Sequence, residues 1–94
     1  MDLKIKRGKN RFFIGEDEQD DIATITFYYE QEKVIVIDHT YVDVKLRGKA
    51  IASKLLSEVI TFAKDNGLLI IPQCSYAVAK MTRNDEYADI LYKG

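Results

Sequence analysis

Three consecutive stretches decide the fold: VIVIDHTYV (residues 34–42), RGKAIASKLLSEVITFAKDNG (47–67) and LLIIP (68–72). The first opens on Val34-Ile35-Val36-Ile37, a β-branched run suited to a central strand buried on both faces, and continues through Asp38 and His39 to Val42. In the second, Ile51, Ala52, Leu55, Leu56, Val59, Phe62 and Ala63 recur at helical spacing, and Gly67 stands where a helix end favours a left-handed residue. The spacing predicts a helix from about Gly48 to Asn66. Leu68-Leu69-Ile70-Ile71 then reads as a short buried strand stopped by Pro72, which cannot donate to a central ladder. Strand, helix, strand is a βαβ unit, and a crossover of this length lays the fifth strand parallel to the fourth.

Working outward, the N-terminal half reads as an antiparallel meander. Leu3–Ile5 and Phe12–Ile14 flank a Gly8-Lys9-Asn10 turn, and Ile22 to Tyr29 alternates Thr24, Thr26 and Tyr28 against Ile25, Phe27 and Tyr29. A polar turn, Glu30-Gln31-Glu32-Lys33, leads into the fourth strand. Beyond Pro72, Tyr76 to Leu91 reads as helical with weak patterning. The expected fold class is α/β (α+β): a mixed sheet with antiparallel strands one to four, a parallel fifth strand, and helices packed on the sheet.

The chain has 94 residues, enough for one hydrophobic core, so residues 1–94 are expected to form a single domain. Fourteen basic and 15 acidic residues give a formal charge of -1, so no global field would hold a polyanion, and no nucleic-acid partner is expected. The cluster Lys4, Lys6, Arg7, Lys9, Arg11 and the acidic run from Glu16 to Asp21 read as solvated strand edges and a turn. No stretch approaches the ~20 apolar residues of a membrane span, and Met1-Asp2-Leu3-Lys4 lacks a signal-peptide core, so no membrane role and a cytoplasmic location are expected. Cys74 is the only cysteine: it has no partner for an internal disulfide, and no metal site is expected.

Between the fourth strand and the long helix lies Val42-Asp43-Val44-Lys45-Leu46-Arg47-Gly48-Lys49-Ala50-Ile51-Ala52. The first four N–H groups of a helix have no internal partner and lie at the positive end of its dipole, where a phosphate can sit. Gly48 and Ala50 leave room, while Arg47 and Lys49 add charge. Packing alone also produces a small-residue turn before an amphipathic helix.

This segment resembles the signature of the GNAT acetyltransferase superfamily: a Gln or Arg, two residues, a Gly, one residue, then a Gly or Ala. Arg47, Ala50 and Ala52 occupy its marked positions; Ala50 replaces the usual first glycine and Val44 stands where many members carry proline. His39-Thr40-Tyr41-Val42 upstream and Ile70-Ile71-Pro72-Gln73-Cys74 downstream are similar to a subfamily of very small GNAT-like proteins, a likeness that spans roughly Val34 to Tyr87. The resemblance implies acetyl-CoA as cofactor, its pyrophosphate held by Arg47, Gly48, Lys49, Ala50, Ile51 and Ala52. It also implies that strands four and five splay apart and that the pantetheine arm pairs with backbone at Thr40, Tyr41 and Val42, with the thioester near His39 and Cys74. Tyr76 joins the expected cofactor contacts. Typical members carry two helices between their first strands that help to form the acceptor site, and here only Gly15 to Ile22 stands there.

His39, the only histidine, is the candidate base; on a strand of period two it is expected to share the face of Ile35 and Ile37, as a base or as a packing residue. Cys74 precedes Ser75, a plausible helix cap, and reads as an acceptor of acetyl, a wall of the acetyl pocket, or inert packing. Tyr76 and Tyr87 are candidates for the acid that protonates the departing thiolate, or simply core. Three functions stay open: acetyl transfer to an unidentified amine or thiol acceptor, acetyl-CoA binding or sensing without turnover, and a cofactor-free interaction domain using Phe27, Tyr28 and Tyr29.

Overall fold

A computed structural model describes residues 4–17, 19, 21–48, 50–83 and 85–93. Strands β1 (Lys6–Gly8), β2 (Arg11–Gly15), β3 (Asp21–Gln31), β4 (Val34–Val42) and β5 (Leu69–Pro72) form one sheet in that order. Pairing is antiparallel from β1 to β4 and parallel between β4 and β5, as the sequence predicts. Helices α1 (Ile51–Asn66) and α2 (Ser75–Thr82) follow β4 and β5. Among the described residues no helix is long and apolar enough to cross a membrane.

The β-branched run behaves as its chemistry requires. Val34, Ile35, Val36 and Ile37 are all buried, facing alternately to the two sides of the sheet, and they pair with β3 on one edge and with Leu69, Ile70, Ile71 and Pro72 on the other. Pro72 is part of β5 rather than the residue beyond it. Leu69 and Gln73 donate to Lys33 and Ile37 of the β4 side, whereas Ile70 donates outward to Ile90. By alternation the nitrogen of Pro72 also faces outward, so its missing N–H removes no rung from the β4 ladder.

α1 lays Ile51, Leu55, Leu56, Val59, Ile60 and Ala63 on one face of the sheet, against Phe12, Ile25, Phe27, Ile35 and Ile37. Each fully buried aliphatic side chain contributes about 1.5–3 kcal/mol through removal of apolar surface from water. Phe62 adds an aromatic cluster, its ring 5.5 Å from Phe27 and 6.1 Å from Phe12, with the Arg7 guanidinium 4.2 Å above it. Gly67, at φ 65°, ends the helix with its N–H on the carbonyls of Ala63 and Lys64. Ala77 and Met81 of α2 join the same core.

The structure departs from the sequence reading at several edges. The first strand is Lys6–Gly8, not Leu3–Ile5; Leu3 lies outside the described residues, and the hairpin turns at Lys9 and Asn10, the latter at φ 56°. α1 starts at Ile51 rather than near Gly48, after a 3-10 turn at Val44–Leu46 that buries Leu46. The expected helix from Tyr76 to Leu91 is broken: α2 ends at Thr82, a second 3-10 turn covers Asp85–Tyr87, and Leu91 bridges to Ile70. Phe27 is buried in the core, so of the proposed interaction aromatics only Tyr28 and Tyr29 face solvent.

Candidate functional site

The site begins where β4 changes character. Phe27 pairs with Ile37 and Thr26 with His39, leaving Asp38 as an extra residue. This bulge reverses the alternation. Ile25, on the core side, faces Thr40, and Thr26, on the far side, faces His39. His39 therefore does not share the face of Ile35 and Ile37. It is exposed on the sheet face opposite the helices, as is Tyr41, while Thr40 and Val42 turn toward the core. The Thr26 hydroxyl donates to the Asp38 carboxylate at 2.7 Å and fixes the bulge.

On the other edge the seam with β5 ends at the same place. The N–H groups of Gln73 and Cys74 both donate to the Ile37 carbonyl, at 3.0 and 3.1 Å, and the β4–β5 register stops at Ile37 and Pro72. Residues 38–42 keep β3 as neighbour and have no β5 partner among the described residues. The pairing of β4 with β5 ends there because the chain passes into α2, and the edge of Thr40, Tyr41 and Val42 on that side has no strand partner among the described residues.

α1 starts beside this opening. Asp43 turns the chain by accepting from the Lys45 N–H at 2.9 Å, and Arg47 bends back so that its Nε donates to the Val42 carbonyl at 3.4 Å. Gly48 has φ +86° and Ala50 has φ +59°, both in the left-handed region. No side chain caps α1, and the Lys54 N–H donates to the Ala50 carbonyl at 3.1 Å. The amides of Ile51, Ala52 and Ser53, the first three of the helix, come before that rung and have no intrahelical acceptor. They border a cavity of 510 Å³ whose walls also include Val42, Arg47, Gly48, Tyr76 and Lys80. Lys49 lies outside the described residues.

Cys74, rather than Ser75, caps α2: its Sγ accepts from the Ala77 N–H at 3.4 Å. The same sulfur is hydrogen-bonded to the Thr40 hydroxyl at 3.2 Å and is half-buried at the mouth of the strand opening. Two residues on, Tyr76 shares the lining of that cavity with Ser53 of α1. Burial chiefly, with Tyr87 and Cys74 adding and the nearby Ser53 opposing, holds its phenol above the ordinary tyrosine value of 10.0, so it is a proton donor at neutral pH.

The structure thus brings together Val42, Arg47, Gly48, Ala50, Ile51, Ala52 and Tyr76 around one cavity, and Thr40 with Cys74 beside it. It places His39 and Tyr41 across the sheet from both. Ser53 and Lys80 escaped the sequence reading. Ser53 is the third residue of α1, and Lys80 follows Tyr76 by four on α2; a boundary at Ile51 and that spacing are the signals that would have found them.

A family model described as GCN5-related N-acetyl-transferase matches residues 11–90. A GCN5-like protein of Staphylococcus aureus, solved in solution, is 40% identical; the match covers 96% of this chain and 88% of that one, with a TM-score of 0.80. A GNAT family acetyltransferase of Elizabethkingia anophelis, solved with acetyl-CoA bound, is 16% identical over 82% of this chain and 51% of its own, with a TM-score of 0.58. Glucosamine-6-phosphate N-acetyltransferase of Arabidopsis thaliana gives 20% identity, coverage of 83% and 57%, and a TM-score of 0.55. The chain therefore spans about half the length of these larger acetyltransferases, which share its fold. No curated protein sequence matches it. Family and fold together support acetyl transfer as the general class of chemistry. With most of its length matched by the family model and two fifths of its residues shared with the S. aureus protein, the chain belongs to the GCN5-related N-acetyltransferase family.

Proposed function

We propose that the protein binds acetyl-CoA and moves its acetyl group to an amine or thiol acceptor. The observation that carries this reading is the uncapped start of α1, whose free amides open on a cavity beside the split between β4 and β5. The residues present fit the cofactor. Three N–H groups and the Arg47 guanidinium form a donor set for a pyrophosphate, with Lys49 next in sequence. A Cβ added at Gly48 would meet no atom within 4 Å, so the space beside it is open. The cavity is of the size that holds cofactors. The E. anophelis relative, which carries acetyl-CoA on the same fold, adds support.

When bound, the cofactor supplies an acyl group activated as a thioester. The open edge of Thr40, Tyr41 and Val42 offers backbone donors and acceptors to an extended amide-bearing arm, in the manner of an added strand. Thr40 and Cys74 then stand at the acyl end, where the thiol can wall the acetyl pocket or take the acetyl group itself. The protonated phenol of Tyr76, which lines the cavity at the start of α1, can donate to the cofactor's phosphates there. His39, exposed on the far face, is our candidate to accept a proton from an acceptor that approaches through the split from the side without helices. The bare surface around His39 and Tyr41 favours one second reading, a module that holds acetyl-CoA without turnover.

Isothermal titration with acetyl-CoA tests the reading. Removing both charges in Arg47→Ala/Lys49→Ala is expected to weaken binding at least about tenfold, since each charged contact contributes roughly 1.5 kcal/mol or more. A wild-type protein that binds no acetyl-CoA ends the proposal. Acetylated product from a panel of amines and thiols, above the uncatalysed background, separates transfer from mere binding.

A further inference from the structure

We propose that Lys80 and Arg83 hold the 3′-phosphate of the cofactor's ribose and so make the site select CoA over its dephosphorylated form. The inference rests on the acetyl-CoA reading above and extends it to the nucleotide end. A second cavity, of 240 Å³, is lined by Tyr76, Ala79, Lys80 and Arg83. It shares Tyr76 and Lys80 with the cavity at the start of α1. The two are neighbouring compartments, one bordered by helix amides and the next by two cations.

The order of groups along α2 matches the order of groups along the ligand. Cys74, the cap of α2, stands at the split between β4 and β5, where the acyl end is placed. Tyr76 lines one cavity with Ile51, Ala52 and Ser53 at the start of α1, the donors assigned to the pyrophosphate. Lys80 and Arg83 follow toward the far end of the helix, Arg83 being about 13 Å from Cys74 at 1.5 Å per residue. Pantetheine and ribose are attached to opposite ends of the pyrophosphate, so with the arm assigned to the Cys74 side the adjoining cavity of Lys80 and Arg83 is left for the ribose.

The chemistry of the two side chains fits a phosphate monoester. They are three residues apart on one helix face, both exposed, and neither forms an ion pair among the described residues. Two adjacent cations repel, and a dianion between them relieves that repulsion while accepting a forked contact from Arg83. Ala79 keeps the floor between them low. The pair is not a by-product of a basic chain, because the formal net charge is -1.

The test compares acetyl-CoA with acetyl-dephospho-CoA, which differ only in this phosphate, by titration into wild type, Lys80→Ala, Arg83→Ala and the double variant. The readout is the ratio of the two affinities, which cancels any general damage to the fold. Wild type is expected to prefer acetyl-CoA by about tenfold or more, each single variant to lose part of the preference, and the double variant to lose nearly all of it. Equal affinity of wild type for the two ligands, or a preference that survives in the double variant, overturns the assignment and leaves the acetyl-CoA reading intact. Wild type that binds neither ligand overturns both.

Discussion

Residues 34–37 and 38–42 belong to one strand and live in opposite surroundings. Val34 to Ile37 are clamped between β3 and β5 and buried on both faces, while beyond the bulge at Asp38 residues His39 to Val42 pair only with β3, and Asp38, His39 and Tyr41 are exposed. The first half is held by apolar burial and two ladders. The second is held by one ladder and the bond from Thr26 to Asp38. The change falls within two residues, where β-branched side chains give way to polar ones. In this protein the part of the strand that stabilises and the part that carries the candidate site are covalently continuous and energetically separate.

That separation is open to direct attack. The largest effect is expected from Ile37→Ala, which removes a fully buried side chain at the last clamped position; a loss of about 2–5 kcal/mol in urea unfolding should follow. A loss below about 1 kcal/mol, at the bottom of the range for core truncation, would show that the clamp is not where the stability lies. On the open side, Cys74→Ala removes the cap of α2 and the Thr40 bond, with an expected cost of about 1 kcal/mol. Cys74→Ser, which keeps a capping oxygen, should recover most of that stability. If Cys74→Ser also restores full acetyl transfer, the thiol is a wall and not a carrier of the acetyl group. The smallest effect belongs to Ala50→Gly, outside both halves. Relief of the left-handed φ of +59° outweighs the extra freedom of glycine in the unfolded chain, so a net gain of roughly 0.5 kcal/mol is expected in the same unfolding measurement.

The sequence carried the two long-range decisions. The run at Val34–Ile37 announced a strand buried on both faces, and the spacing from Ile51 to Ala63 announced the helix that crosses to β5. One is an unbroken β-branched run and the other a helical spacing kept over several turns, which is why both are readable without coordinates. What stayed hidden was set by pairing. The bulge at Asp38 moves His39 to the outer face, and nothing in the order Ile37-Asp38-His39 says that Thr26 and Phe27 will skip a residue there. Ala50 is no ordinary cap, so spacing alone starts the helix near Gly48; only the tertiary fold holds an alanine in the left-handed region. For the candidate site, Arg47 to Ala52 were legible because resemblance and helix-start chemistry agree on them. Ser53 and Lys80 were not, since both depend on how α1 and α2 lie against each other.

The carbonyl of Ile37 receives two amides, one from Gln73 and one from Cys74, and with them the seam between β4 and β5 ends. This has a kinetic consequence. The chain's own backbone bonds close the seam at that oxygen, so a ligand that pairs with β4 beyond it breaks no rung between β4 and β5. Mixing experiments should therefore give an observed rate that climbs in proportion to ligand concentration without levelling off, the mark of an encounter with no slow opening step ahead of it.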